Sequence, residues 1–115
     1  MQFEENLEGG ILTLRPLDAQ IDTHNAQELK DGLAAKIEEG HRTILLDLGV
    51  VKFMDSSGLG ALISSMKALQ SKGEILLCRV SEPIHGLLKL TQVIRIFPVY
   101  ETAEEARASR LRRVQ

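Results

Sequence analysis

Residues 43–62, TILLDLGVVKFMDSSGLGAL, decide the fold of this chain. Their first part, TILLDL at residues 43–48, is almost entirely apolar and too short for a helix, so it predicts an inner strand covered on both faces. From Leu59 to Leu69 apolar residues recur at helical spacing, which predicts an amphipathic helix that ends near Gly73. The segment MDSSGLG at residues 54–60 is therefore a junction from strand to helix.

The segments before this junction predict a hairpin and a first helix. Residues 3–7 and 11–14 flank the pair Gly9 and Gly10, a turn signal that favours two antiparallel strands. Asp22 or Thr23 can then cap a helix that ends at Gly40. The apolar positions of this helix recur at spacings of three and four, and they are Ala26, Leu29, Leu33 and Ile37.

The segments after the junction continue the alternation of strands and helices. Residues 74–78 and 95–97 predict two more strands, and the proline in residues 81–83 suits the first turn of a short third helix. Thr102 with Glu105 forms a capping-box pattern for a final helix that runs into the arginines. This order predicts the α/β class, with about four helices and a mainly parallel, mixed sheet.

Size and composition limit the classes of function. A chain of 115 residues suits one domain, and a net charge of −2 with 3% aromatic residues favours neither phosphate-backbone binding nor base stacking, so direct nucleic-acid binding is not expected. The single cysteine, Cys78, cannot form an internal disulfide, which is typical of a reducing compartment. With no leader or membrane-spanning run, we expect a cytoplasmic protein without a membrane partner, and a monomer.

The charge is uneven along the chain. Residues 1–106 contain ten lysines and arginines against sixteen aspartates and glutamates, whereas residues 107–115 contain four arginines and no acidic residue. The sequence therefore divides into a domain at residues 1–106 and a basic C-terminal tail at residues 107–115. A solvated helix end is the favoured interpretation of the tail, with a binding function as the alternative.

No catalytic, metal or cofactor site is predicted. The phosphate-loop, dinucleotide, zinc-protease and nucleophile-elbow motifs are missing, and in the last case Met54 stands where the first glycine belongs. His24, His41 and His85 have no spacing that predicts convergence on a metal. Cys78 ends an apolar strand, which favours a small core residue over a nucleophile.

The junction at residues 54–60 has two interpretations. Aspartate and serine are ordinary helix-capping residues, so the segment could be purely structural. Alternatively, loops at the carboxyl ends of parallel strands are where α/β proteins place their sites. A phosphate on a serine there would be tolerated at a helix N-terminus but would be costly to bury under a docked partner, so it could switch binding without a large conformational change.

At this junction the sequence resembles the STAS domain family, and specifically the bacterial anti-sigma factor antagonists. The resemblance rests on the strand at residues 44–48, the segment FMDSSGLGAL at residues 53–62, and matches that extend it over residues 3–106. It implies a small mixed sheet with helices packed mainly on one face. It also implies a regulatory protein without enzymatic activity.

The family's mode of action is partner switching. The resemblance implies that the unphosphorylated protein binds an anti-sigma factor, usually a serine kinase of the histidine-kinase-like ATPase fold, and thereby frees a sigma factor. Phosphorylation by the kinase ends the contact, and a PP2C-type phosphatase restores it. The serine directly after the aspartate is the family's acceptor, which here is Ser56.

The resemblance also implies a docking surface. Its residues are Asp22, Asp55, Ser57, Gly58 and Leu59, although the longer segment before Asp22 leaves Asp18 as an alternative for the first aspartate. An alternative function is a soluble STAS subunit of a transport or stress-signalling assembly that does not act on a sigma factor. The complete DSSGLG motif favours the phosphorylated antagonist.

Overall fold

The computed structural model describes residues 1–114 and the side chains of residues 1–111. A five-stranded sheet has the order β1-β2-β4-β6-β7 and contains β1 (Phe3–Glu8), β2 (Ile11–Pro16), β4 (Thr43–Asp47), β6 (Glu74–Cys78) and β7 (Val99–Tyr100). A separate two-stranded sheet pairs β3 (Gln20–Ile21) with β5 (Phe53–Met54). The helices are α1 (Ala26–Glu38), α2 (Ser56–Ala68), α3 (Glu82–Leu90) and α4 (Ala103–Val114). The predicted mixed sheet and α/β class are confirmed.

The pairing of the main sheet follows the hydrophobic pattern. β1 and β2 are antiparallel around the turn at Gly9 and Gly10, both of which have positive φ. β4 pairs in parallel with β2 on one side and with β6 on the other, so Leu46 lies opposite both Leu14 and Leu77. The predicted central position of residues 43–48 is confirmed, because Ile44, Leu45 and Leu46 are fully buried.

The two faces of the sheet carry unequal layers. The larger core lies between the sheet and α1, α2 and α3, with Leu29, Leu62 and Ile84 among its fully buried side chains. A smaller core on the second face packs Ala103 and Ala106 of α4 against Leu45 and Leu76. The expectation of helices mainly on one face is therefore confirmed, with α4 alone on the other.

The predicted last strand at residues 95–97 is wrong. Val93–Arg95 forms a short 3₁₀ helix, and the strand comes later, at Val99–Tyr100, where it pairs with Leu77 and Cys78 of β6. Phe97 is fully buried but Ile96 is 49% exposed, so the apolar run anchors a loop rather than lying in the sheet.

The predicted cap of the first helix is also wrong. α1 begins after Asn25, and neither Asp22 nor Thr23 caps it. The Asp22 carbonyl instead accepts hydrogen bonds from the backbone N–H groups of Asn25 and Ala26, at 3.2 and 2.8 Å. Asp22 therefore closes the turn that leads into α1.

Part of the basic tail packs on the sheet. Within α4, Arg110 makes a two-point ion pair with Glu74 and donates a hydrogen bond to the Tyr100 hydroxyl at 3.0 Å. Arg107 donates to the Thr13 hydroxyl at 3.3 Å. The solvated-end interpretation is wrong for these two residues, whose side chains are 13% and 18% exposed. The side chains of Arg112 and Arg113 lie outside the described residues.

Cys78 is expected to resist thiol reagents in the folded protein. Its side chain is fully buried in the smaller core, and burial raises the pKa of the thiol to about 12. At pH 8 only about one thiol in 10,000 would be ionised, and the reagent must also reach it. Labelling should therefore be slow in buffer and complete in denaturant. Equal rates in both solvents would contradict the core assignment.

Candidate functional site

The small β3–β5 sheet brings two aspartates together. Ile21 lies opposite Met54, and the backbone N–H of Asp55 donates to the Ile21 carbonyl at 3.1 Å. Because the two strands are parallel and each is followed directly by an aspartate, Asp22 and Asp55 leave the pair side by side. The first residues of α2 follow directly from Asp55.

Asp55 is the N-cap of α2. Its Oδ1 accepts hydrogen bonds from the backbone N–H groups of Ser57 at 2.8 Å and Gly58 at 3.3 Å, with its own backbone extended. These bonds satisfy donors that have no partner inside the helix. The junction therefore has a built cap, and the cap is the aspartate rather than either serine.

Gly58 lets α2 lie close to the small sheet. A Cβ at this position would lie 2.5 Å from Met54 Cγ and 2.9 Å from Ile21 Cγ2, distances that ordinary side chains do not reach. Gly58 is buried, so its place in the predicted docking surface is one of backbone packing.

Ser56 is exposed, and it is the exposed residue of the junction that carries a hydroxyl. It is the first residue of α2, and its hydroxyl has no hydrogen-bond partner in the part of the chain that the structure describes. Ser57, its neighbour, is half-buried and faces the space between α1 and α2. A group attached to Ser56 would therefore project from the protein without disturbing the cap.

Asp22 rather than Asp18 borders the junction. The Asp18 carboxylate accepts a hydrogen bond from the Asn25 side chain at 2.9 Å, and so helps to hold the loop before α1. The side chain of Asp22 is 31% exposed, and its Oδ1 accepts from the backbone N–H of His24 at 2.9 Å. Of the two aspartates, Asp22 is therefore the one that lies beside Asp55.

Leu59 lies beneath the junction in the free protein, and its predicted contact with a partner stays a prediction. Leu59 is 5% exposed and belongs to the larger core, where it packs with the other buried residues of α2. Its apolar side chain faces inward because α2 turns that side toward the sheet. Leu59 therefore supports the junction from beneath.

Several surface residues near Ser57 are not identified by the sequence pattern alone. A groove between α1 and α2 begins next to Ser57, and it is lined by Thr23, Gln27, Lys30, Gly60 and Ser64 among others. We call Ser56, Ser57 and this groove the docking face. Of the docking surface predicted from the sequence, only Ser57 belongs to it. The only signal in the sequence was the small-residue spacing of Ser57, Gly60 and Ser64, which places all three along one side of a helix.

Phe53 is a second missed residue. It lies in β5, two residues before Asp55, and half of its surface is exposed. In an extended strand, neighbours point to opposite sides, so burying Met54 leaves Phe53 facing outward. An exposed aromatic ring three residues before Ser56 in the chain is well suited to contact with another protein.

The cap predicts a measurable stability loss. Replacing Asp55 with alanine is expected to lower the free energy of unfolding by about 1 kcal/mol, because two amide donors at the start of α2 lose their acceptor. Asp55→Asn keeps an oxygen at the same place and should lose much less. Urea denaturation of the three proteins measures both effects. If the alanine variant unfolds at the wild-type urea concentration, the cap contributes nothing.

Two further observations concern cofactors and membranes. Among the described residues, no group of three or more His, Cys, Asp or Glu side chains is placed to hold a metal ion. The helices in that part of the chain also include none with the length and apolar character needed to cross a bilayer.

Comparison with known proteins places the fold and this junction in one family. The STAS domain family model matches residues 4–106. Over 108 residues the chain is 32% identical to the anti-sigma F factor antagonist of Paenibacillus polymyxa, an alignment that covers 92% of both chains. It is 33% identical over 86 residues to the anti-sigma-B factor antagonist of Staphylococcus aureus, covering 74% of this chain and 80% of that one.

Solved structures agree with this. The crystal structure of the Thermotoga maritima protein TM1081 superposes with a TM-score of 0.85 and 26% sequence identity, covering 93% of this chain and 92% of the other. This chain therefore belongs to the STAS domain family. The resemblance drawn from the DSSGLG motif is confirmed.

Proposed function

We propose that this protein is an anti-sigma factor antagonist that works by partner switching. The observation that carries the proposal is the position of Ser56 in the docking face: it is exposed, it directly follows the Asp55 cap, and its hydroxyl has no hydrogen-bond partner among the described residues. The relatives named as antagonists of anti-sigma factors support the choice of partner.

In this proposal the unphosphorylated docking face binds an anti-sigma factor and thereby releases a sigma factor. The partner is a serine kinase of the histidine-kinase-like ATPase fold, and it transfers a phosphoryl group to the Ser56 hydroxyl. A PP2C-type phosphatase removes it again. The protein acts in the cytoplasm as a monomer and has no catalytic activity of its own. Its domain covers residues 1–106, and the basic extension that follows packs on that domain through Arg107 and Arg110.

Local electrostatics explain how the modification would act. A phosphoserine adds about −1.5 to −2 charges, here at the N-terminus of α2, where the backbone dipoles favour negative charge. The fold therefore tolerates the group. A partner that covers Ser56 would bury that charge close to the carboxylates of Asp22 and Asp55, and an unpaired buried charge is strongly unfavourable.

A capture experiment tests the proposal. Wild type, Ser56→Ala and Ser56→Asp are immobilised separately and exposed to lysate of the source cell, and bound proteins are identified by mass spectrometry. We expect a kinase-like anti-sigma factor on the first two proteins and its loss on the third. When ATP is added to the recovered complexes, wild type should gain a phosphate on Ser56 and the alanine variant should gain none.

Ser71→Asp is the matched control. Ser71 is exposed and lies beyond the other end of α2, so it carries the same change away from the docking face. It should recover the anti-sigma factor as wild type does. Recovery of the same proteins with all four baits would contradict a switch at Ser56, and recovery of transport subunits in place of a kinase would contradict the choice of partner.

A further inference from the structure

A cavity of about 600 Å³ lies on the second face of the sheet, beside the first turn of α4. Three of its residues lie at the carboxyl ends of parallel strands: Arg15 is in the last part of β2, Asp47 ends β4, and Arg79 comes directly after β6. The cavity is therefore at the carboxyl ends of the strands, where α/β folds place their ligand sites. It shares no residue with the docking face.

Arg15 and Asp47 lie at the bottom of the cavity, and their polar groups are paired with each other and with neighbouring groups. The Asp47 side chain is 1% exposed, and its Oδ2 lies 3.2 and 3.3 Å from Nη2 and Nε of Arg15. The other Asp47 oxygen accepts from the backbone N–H of Gly49 at 2.9 Å, and Arg15 also donates to Glu4 at 2.9 Å. Arg15 and Asp47 thus hold each other in place and leave little capacity for a ligand, whereas the Glu4 carboxylate is largely exposed.

Arg79 has donors to spare. Among the described residues it makes one ion pair, which is loose, with 3.6 Å between its Nη1 and Oδ2 of Asp47, and its side chain is 46% exposed. The guanidinium lies over Gly49, where a Cβ would come within 2.5 Å of it. Arg79 also has a φ of +55°, an uncommon conformation for a residue other than glycine. The backbone is thus held in an unusual shape that places this guanidinium at the cavity.

Arg107 has an unsatisfied donor on the other side of the cavity. Its Nη2 donates to Thr13, but its buried Nε has no hydrogen-bond partner among the described residues. Glu104 lies 3.8 Å from Nη1, too far for a hydrogen bond, and is 78% exposed. A guanidinium has five donors, and a buried one without an acceptor is unfavourable. A small rotation of the Arg107 side chain toward a bound oxyanion would give this unpaired Nε–H group an acceptor.

The rim of the cavity is acidic. Glu4 and Glu104 are both largely exposed there, and Glu5 beside them is paired with Lys36 at 2.9 Å. Carboxylates at the entrance repel ligands with several negative charges, such as a phosphate dianion. The same carboxylates attract a ligand whose single negative charge is accompanied, a few bonds away, by a positive group.

We propose that this cavity binds a small zwitterion, with its carboxylate on Arg79 and Arg107 and its ammonium group toward Glu4 and Glu104. The planar guanidinium fork suits a carboxylate, which it can hold through two parallel hydrogen bonds. The proposal is independent of any event at Ser56, because the cavity and the docking face have separate linings.

Three probes of matched length test the ligand class. Gamma-aminobutyrate carries both charges, butyrate only the negative one and butylamine only the positive one. Each is titrated into ¹⁵N-labelled protein while backbone amide shifts of Thr13, Arg15, Arg79 and Arg107 are followed by NMR. We expect saturable shifts with gamma-aminobutyrate and no saturation with butylamine. Butyrate should bind about tenfold more weakly than gamma-aminobutyrate, because it lacks one charge-assisted contact.

Variants assign the two ends of the ligand. Arg79→Gln should weaken gamma-aminobutyrate and butyrate alike, by about tenfold. Glu104→Gln, an exposed position whose change leaves the fold intact, should weaken gamma-aminobutyrate but not butyrate. Arg95→Gln is the control, because Arg95 is an exposed arginine away from the cavity. The amide spectrum of each variant without ligand confirms that it is folded.

Three results would overturn the proposal. The first is the absence of saturable shifts with every probe, and the second is unchanged affinity in both Arg79→Gln and Glu104→Gln. The third is tighter binding of inorganic phosphate than of gamma-aminobutyrate, which would mean that the cavity selects anions and not zwitterions.

Discussion

Ser56→Asp is expected to lower the affinity for the anti-sigma factor by about a hundredfold, or about 2.7 kcal/mol, and to leave the free energy of unfolding nearly unchanged. The reason lies in where the charge sits. In the free protein it is solvated at the start of α2, but in the complex it would be buried near Asp22 and Asp55. Titration calorimetry with the purified partner measures the first effect, and urea denaturation measures the second.

Two variants make that result specific. Ser56→Ala removes the hydroxyl without adding charge and should bind as wild type does. Ser71→Asp places the same charge at the far end of α2, about 20 Å along a helix of this length, and should also bind normally. If Ser56→Asp binds within twofold of wild type, charge at Ser56 does not control docking. If it binds weakly because it is unfolded, the denaturation curve will show that directly.

Gly73→Ala is expected to cause the largest loss of stability, about 3 kcal/mol, which is the upper part of the usual range for overpacking. A Cβ at residue 73 would lie 2.2 Å from the carbonyl oxygen of Arg42, a backbone atom that cannot turn aside. The same oxygen accepts the first hydrogen bond of β6, from Glu74 N–H at 2.8 Å. The substitution must therefore push β6 away from β4 at the centre of the sheet.

Gly86→Ala provides the matched control. Gly86 lies within α3, and a Cβ there would meet nothing within 4 Å. Alanine is the better helix former, so this variant should be more stable than wild type by about 0.5 to 1 kcal/mol. Thermal denaturation should thus shift in opposite directions for two chemically identical changes. A Gly73→Ala protein that melts at the wild-type temperature would contradict the close approach of residues 42 and 73.

The order of the main elements was predictable because strands and helices leave different patterns of apolar residues in the sequence. The apolar run at residues 43–48 and the helical spacing of Leu59 and Leu62 reflect burial on a sheet and on a helix face. The capping box of Thr102 and Glu105 was likewise recognisable, and Glu105 N–H donates to the Thr102 hydroxyl at 3.1 Å. These signals are local, so a single sequence carries them.

Other features depend on partners that are distant in the chain. β3 and β5 have two residues each, too few to show any alternation. Arg110 is placed by Glu74, 36 residues away, and composition alone indicated a solvated arginine. The position of the final strand was not predictable, because a short apolar run does not show whether a residue is buried in a loop, as Phe97 is, or paired in the sheet, as Val99 is.

The candidate site shows the same division. Ser56 and Asp55 were found from the motif, since both lie in one continuous segment. The groove residues Thr23 and Gln27 were not, because they reach the site only through the packing of α1 against α2. The spacing of Leu59 predicts its burial in the core, but periodicity does not show which apolar residues of α2 also touch a partner.

The separate β3–β5 sheet has a consequence for motion. Strands of two residues share only a few hydrogen bonds, so the pair can open at far less cost than β4, which is held on both sides. Amide hydrogens of residues 20–22 and 53–55 should exchange with deuterium much sooner than those of residues 44–46. The segment that leads into α2 and Ser56 can thus shift locally while the five-stranded sheet stays closed, which would let the proposed phosphoacceptor adjust its position against a partner.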